Sequence, residues 1–254
     1  YKRQAQQTAG NIDDVLEEIL DYQVDGIVLA SVAMSSVLAE RCDAAGIPVV
    51  LFNRAQQEDR FSTVTSDNFA GGKALAEFLV AGGHRRIGYI AGWEGASTQR
   101  DREAGFCAGL AEHGQKLFAR GVGDFRTETA ANAARAMFSA SEFPDAVFVA
   151  NDHMAFAVIE ELRGNLGLRV PEDVSVVGYD DVQLSRWSSF DLTTVRQPSG
   201  EMVAETVAAL MAQIEDGETE PRRVKIDGPL VVRGSARRPA DWKANWKECD
   251  DERL

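Results

Sequence analysis

Two adjacent carboxylates, Asp180 and Asp181, stand just beyond the apolar run 174–178. Such a pair can exchange protons, hold a hard cation, cap a helix or accept hydrogen bonds from ligand hydroxyls or amines. Arg102, in Asp101-Arg102-Glu103, reads by itself as half of a local ion pair on a solvated helix face. Asn151-Asp152 follows the apolar run 146–150, where an amide or carboxylate caps a helix or meets a ligand. Phe125 ends a Gly-Asp-Phe turn, and a loop aromatic of that kind is packed down or offered as a stacking face. Ser97, Thr98 and Arg100 lie in the segment after the apolar run 87–91, with Arg102 opening the next helix. None of these is specific alone. Each falls just past the carboxyl end of a predicted strand, where open α/β sheets bind their ligands.

Enzymatic signatures are missing. There is no GxSxG, GxxxxGK[ST], HExxH or GxGxxG, and His84, His113 and His153 have no evident partners in sequence. His84 reads as the end of a helix. Cys42, Cys107 and Cys249 are far apart, with no CxxC or Cys/His cluster, so the expectation is reduced thiols and no metal centre or cofactor. The chain carries 27 basic and 40 acidic residues, a net charge of −13. An acidic surface repels phosphate backbones, and the basic pairs Arg85-Arg86, Arg222-Arg223 and Arg237-Arg238 are dispersed, so this segment is not expected to bind DNA alone. No basic-then-apolar start and no membrane-length apolar stretch is present, which points to the cytoplasm and away from the membrane.

These residues must be positioned by alternating strands and helices. Helical spacing predicts helices over 12–22, 35–45, 67–81, 98–113, 128–139, 152–163 and 201–215, the last with Val203, Val207, Leu210 and Ile214 on one side. Asp67 is placed to cap the third of them. Apolar runs predict strands over 24–30, 47–52, 87–91, 117–122, 146–150, 174–178 and 226–233. Near-continuous apolar strands separated by helices imply parallel sheets covered on both faces. Residues 241–254 read as a polar tail.

Eight motifs then occur in order: VDGIVLAS from Val24, GIPVVLFNR from Gly46, SDNFAGG from Ser66, GHRRIGYIAG from Gly83, DREAGF from Asp101, FVANDHMA from Phe148, VPEDVSVVGYDD from Val170 and LTTVRQP from Leu192. Over nearly its whole length the chain resembles the effector-binding core of the LacI/GalR family of transcription regulators. The resemblance implies an α/β, periplasmic-binding-protein-like fold: two doubly wound parallel-sheet lobes with a ligand cleft between them. One lobe would comprise 1–63 plus 197–223 and the other 64–196 plus 224–240, with crossings near Thr63-Val64, Val195-Arg196 and Arg223-Val224. It implies ligand-binding roles for Arg102, Asp180, Asn151, Phe125, Thr98 and Gln197. Asn53 stands where many members carry Asp, so it keeps hydrogen bonding and removes a charge. The family's first strand and helix would precede Tyr1, as would a helix-turn-helix, through which alone operator DNA would be bound. Expected partners are a small-molecule effector, a sugar being the commonest, and a second copy of the chain, with Trp187 and Phe190 at the homodimer interface or the cleft mouth. Arg102 is expected to serve the ligand rather than folding. The alternative is a periplasmic sugar- or solute-binding protein of similar fold.

Overall fold

The computed structural model describes residues 24–31, 36–55, 60–217, 220–240 and 242. The helix expected over 12–22 and the tail, apart from Trp242, lie outside these residues.

The chain divides into two compact units, Tyr1–Ser66 with Ser199–Ile226, and Asp67–Pro198 with Asp227–Leu254. In the first, β1 (Ile27–Ala30), β2 (Val49–Phe52), β3 (Ser62–Ser66) and β9 (Arg223–Ile226) form an all-parallel sheet in the order β1-β2-β3-β9. The expected crossings fall inside strands. Thr63 pairs with Arg223 and Ser66 with Ile226, so the chain must finish β3 and β9 before leaving the sheet. Neither shows the continuous apolar run of a buried strand: β3 is Ser-Thr-Val-Thr-Ser and β9 alternates as Arg-Val-Lys-Ile. Ser62 is nonetheless fully buried, its hydroxyl accepting from the Arg222 N–H at 3.0 Å and from Gln213 at 2.8 Å.

Helices α1 (Ser36–Ala45) and α6 (Ser199–Glu215) belong to this unit. The α6 stripe that goes inward is Met202, Thr206 and Ala209, spaced at one helical turn, with Met202 and Ala209 packed on Val50 and Val64. The stripe expected from hydrophobicity stays largely outside, with Val203, Val207 and Ile214 exposed and only Leu210 partly buried against the sheet.

The second unit contains β4 (Ile87–Ala91), β5 (Ala119–Val122), β6 (Ala146–Val149), β7 (Ser175–Asp180), β8 (Thr193–Arg196) and β10 (Leu230–Val231) in the order β10-β8-β7-β6-β4-β5. All neighbours are parallel except β10, which runs antiparallel to β8. The single strand expected over 226–233 is therefore two strands in two different sheets. β4 has β5 on one side and β6 on the other, so the winding reverses between β4 and β6. That reversal opens a crevice beyond their carboxyl ends.

Helices α2 (Asn68–Ala81), α3 (Ser97–Glu112), α4 (Thr127–Phe138) and α5 (Asp152–Glu160) accompany this sheet. Tyr89, Phe106 and Phe148 fill its core, their ring centres 5.0–6.0 Å apart. α2 and α3 touch through glycines. A Cβ on Gly72 would collide with the Arg102 carbonyl, and one on Gly105 with the Phe69 carbonyl. This contact sets the amino end of α2 beside Arg102. Asp67 caps α2 as expected, accepting from the Ala70 N–H at 2.9 Å. His84 does follow the end of α2, but it is fully buried and its Nδ1 lies 3.2 Å from Asp145 Oδ1, so burial, offset by Asp145, lowers its pKa. Trp187 is exposed, whereas Phe190 packs on Phe156 with ring centres 4.4 Å apart, so the two do not form one exposed aromatic pair.

Candidate functional site

Four parallel strands of the second unit end on the same edge. Beyond β4 comes the loop 92–96, beyond β5 the turn to Phe125, beyond β6 Ala150 and Asn151, and at the end of β7 Asp180. Helix α3 begins at Ser97, so Thr98 and Arg102 lie within it rather than in the loop and at its start. They are one helical turn apart and share a face.

Arg102 is 3% exposed. Its Nε donates to Asn68 Oδ1 at 2.8 Å, its Nη1 to the Ala150 carbonyl and its Nη2 to Asp180 Oδ1 at 3.0 Å. The guanidinium carbon sits 3.7 Å from the centre of the Tyr179 ring. One cation thus joins the start of α2 to the ends of β6 and β7, over an aromatic face that favours positive charge. Its removal would leave several buried acceptors unpaired, which adds a cost in stability to the ligand role expected of it.

The two aspartates divide their work. The Asp181 side chain is fully buried, held by Arg196 Nε at 2.6 Å and Arg233 Nη2 at 2.7 Å. Asp180 keeps 21% of its side chain exposed, and its Oδ1 also accepts from Gln197 Nε2 at 2.6 Å. Asp180 and Asp181 have φ of 120° and 53°, a region that non-glycine residues rarely occupy. The turn they make points one carboxylate to the arginine pair and leaves the other reachable. Arg102, Asp180 and Gln197 therefore form one cluster, with Asn151 next to the carbonyl that Arg102 grips.

Asn151 caps α5, its Oδ1 accepting from the Met154 N–H at 3.0 Å. Phe125, half-buried against the core, lies across Gly92 at the end of β4; a Cβ on Gly92 would overlap its ring. Asp124 and Phe125 both have positive φ, 56° and 55°, which turns the ring back over that glycine. Thr98 is 7% exposed, more buried than a free loop threonine would be. Asn53 belongs to the first unit. It ends β2 with φ 58°, donates to Ser31 Oγ at 3.4 Å, and its buried Oδ1 has no partner. Among the described residues no cluster of His, Cys, Asp and Glu could hold a metal, and Asp181 is committed to arginines.

Supporting residues escaped the sequence reading. Gln99, 1% exposed, accepts from the Gly92 N–H at 2.7 Å and the Tyr89 hydroxyl at 2.8 Å, and donates to Glu103 at 2.8 Å. Asp152, fully buried, accepts from the Val182 N–H at 3.0 Å and from the Ser185 and Thr194 hydroxyls at 2.7 Å each. Burial, and then the charge of Asp180, pushes the Asp152 carboxyl up to about 6. Asp152 reads in sequence as a second capping residue, and nothing local reveals that its oxygens accept from two later segments, 182–185 and β8.

The family of periplasmic binding protein-like domains matches residues 76–236. The regulator CelR of Thermobifida fusca is 37% identical over 219 residues, 84% of this chain and 63% of its own length. The repressor PurR of Photobacterium profundum is 30% identical over 236 residues, 91% of this chain and 70% of its own. The chain thus spans about two thirds of these relatives. Among solved structures, a CelR–cellobiose complex superposes with a TM-score of 0.82 at 34% identity, covering 89% of this chain and 71% of that one. A LacI regulator from a Rhodococcus species gives 0.80 at 27% identity, covering 88% and 82%. The chain belongs to the LacI/GalR family of transcription regulators, and carries its periplasmic-binding-protein-like fold. Its relatives are regulators and repressors rather than enzymes or transport proteins. Among the described residues no helix is long and apolar enough to cross a membrane.

Proposed function

We propose that this chain is the effector-sensing core of a LacI/GalR-type regulator, and that its effector is a saccharide held at the carboxyl edge of the second unit's sheet. The observation that carries this is the Arg102–Asp180 pair, a buried donor set beside a partly exposed acceptor at a topological switch point. Sugar hydroxyls both donate and accept, which suits Asp180, Gln197 and the Arg102 guanidinium together. Phe125 supplies an apolar ring for the C–H face of a pyranose, and the Asn151 amide donates to a further hydroxyl. The cellobiose complex of a relative with 34% identity supports this ligand class.

The whole protein is proposed to act in the cytoplasm as a homodimer that binds operator DNA through an amino-terminal helix-turn-helix. The net charge of −13 opposes the binding of a phosphate backbone by this segment. Ligand binding biases the regulator by differential affinity for two conformations. The test is a thermal-shift series with glucose, cellobiose and other saccharides against nucleobases, because a ligand that binds only the native state raises its melting temperature. A saccharide shift is expected. A shift with nucleobases alone would overturn the ligand assignment. Light scattering at micromolar concentration tests the dimer, and a strictly monomeric chain refutes it.

A further inference from the structure

Of the three arginine pairs that are dispersed in sequence, the fold brings two to one place, the amino edge of the second unit's sheet. Arg85 and Arg86 lead into β4, and the N–H groups of both donate to the carboxylate of Asp145, which precedes β6. The Asp145 carbonyl accepts from the Ser175 N–H at 3.1 Å, and the Ser175 hydroxyl accepts from the Arg237 N–H at 2.9 Å. Arg237 also lies against the end of α2, its carbonyl 3.0 Å from where a Cβ on Gly82 would stand. Gln115, whose amide donates to the His84 carbonyl at 3.2 Å, brings Lys116 to the same edge. Arg85, Arg86, Lys116, Arg237 and Arg238 are all exposed, and none forms an ion pair with a carboxylate among the described residues. Asp145 is already committed to the two backbone N–H groups and to His84 Nδ1. Five cations left uncompensated on one edge repel one another, in a chain whose net charge is −13.

The chain carries the complement itself. Trp242 meets Phe78 of α2 edge-on, with ring centres 5.1 Å apart, so the carboxy-terminal segment sets out from the helix that ends beside these arginines. Six residues further on, Glu248, Asp250, Asp251 and Glu252 place four carboxylates within five residues, with Lys243 and Lys247 before them and Arg253 after. Six residues reach up to about 20 Å.

We propose that this basic edge is a docking surface for the acidic run 248–252 of the same chain, and that the docked run shields the surface from other polyanions. A single exposed ion pair contributes little, but several charges in one network contribute more, and a guanidinium can hold a carboxylate by two parallel hydrogen bonds. The tether removes most of the cost of association, because a short linker presents its end at an effective concentration in the millimolar range. The surface lies at the opposite end of the strands from Asp180 and Asn151, so it is independent of the effector site.

The experiment uses the full chain with Cys107→Ser, so that a nitroxide couples at Cys249 within the acidic run, Cys42 being buried. Paramagnetic broadening is read from amide NMR signals. At low salt the signals of Arg85, Arg86 and Lys116 are expected to lose most of their intensity while Asn151 and Asp180 keep theirs, and the loss should reverse at about 0.5 M NaCl, where screening acts over a few ångströms. Arg237→Ser with Arg238→Ser should cut the loss about twofold or more at an unchanged melting temperature. The chain carrying Glu248→Gln, Asp250→Asn, Asp251→Asn and Glu252→Gln should be retained on a heparin column that the unaltered chain passes through. Full intensity at Arg85, Arg86 and Lys116, broadening that survives both salt and the arginine changes, or equal passage of the two chains through heparin overturns the proposal. Broadening of an isotope-labelled chain by added nitroxide-labelled copies assigns the occupant to the tail of a second copy, and overturns docking within one chain.

Discussion

Replacing Arg102 is the sharpest test of the site, because one side chain holds buried acceptors from three segments and is also the residue proposed to meet the ligand. Arg102→Ala removes bonds to Asn68, the Ala150 carbonyl and Asp180 at once. Breaking a buried ion pair from one side costs about 3–5 kcal/mol, and leaving a buried acceptor unpaired costs about 1–3 kcal/mol more. Two features reduce this. Asp180 is 21% exposed and keeps its bond from Gln197, and the vacated space can admit water. The net expectation is about 3–4 kcal/mol. For a unit of this size that corresponds to a fall of roughly 6–16 °C in melting temperature, at about 2–4 °C per kcal/mol. Differential scanning calorimetry on Arg102→Ala, Asp180→Asn and the double variant measures it. Part of the loss is the charge left on Asp180, so the double variant should lose less than the two single losses added, by about 1–2 kcal/mol. A fall under about 2 °C in Arg102→Ala, or strict additivity, would refute the bridging role drawn for this guanidinium. A weakened saccharide affinity in the same variant is expected too. It is interpretable only at temperatures where the chain remains folded.

Other expectations follow from neighbouring geometry. The Asp152 carboxyl titrates near 6 in the folded chain against 3.8 for the free group, so the native state retains a proton longer and its stability falls as pH rises through that window. Asp152→Asn removes this dependence: its unfolding free energy relative to wild type should rise between pH 4 and 7 by up to about 3 kcal/mol, and a flat difference would sink the assignment. Gly92→Ala should push Phe125 off β4, costing about 1–3 kcal/mol in urea melts and weakening saccharide binding; wild-type values on both counts would show that the ring does not need that floor. Asn151→Ala should lose about 1 kcal/mol through the missing cap of α5, with Asn151→Asp keeping the stability but not the affinity, since a carboxylate caps a helix yet has no N–H to donate.

The apolar strands were legible because burial on both faces writes a continuous run into the sequence: β6 is Ala-Val-Phe-Val, and every residue of it is buried. The strands at the chain crossings were not. β3 and β8 read Ser-Thr-Val-Thr-Ser and Thr-Thr-Val-Arg, yet all but Arg196 are buried. Their hydroxyls are satisfied by distant residues, Ser62 by Arg222 and Gln213, Thr193 by Arg233, Thr194 by Asp152. A local pattern of hydrophobicity carries no record of such partners. The same limit governed the site. Strand ends located Asp180, Asn151 and Phe125 on one edge, and the family motifs chose Arg102. That Asp180 rather than Asp181 is the reachable carboxylate depends on Arg196 and Arg233, 15 and 52 residues further along the chain. The consequence is physical as well as interpretive. Gln197 and Arg196 hold adjacent aspartates from adjacent positions, just before the chain passes at Pro198 into the other unit. The same pairing, Gln197 with Asp180 and Arg196 with Asp181, ties the end of β7 to the segment that leads on to Ser199.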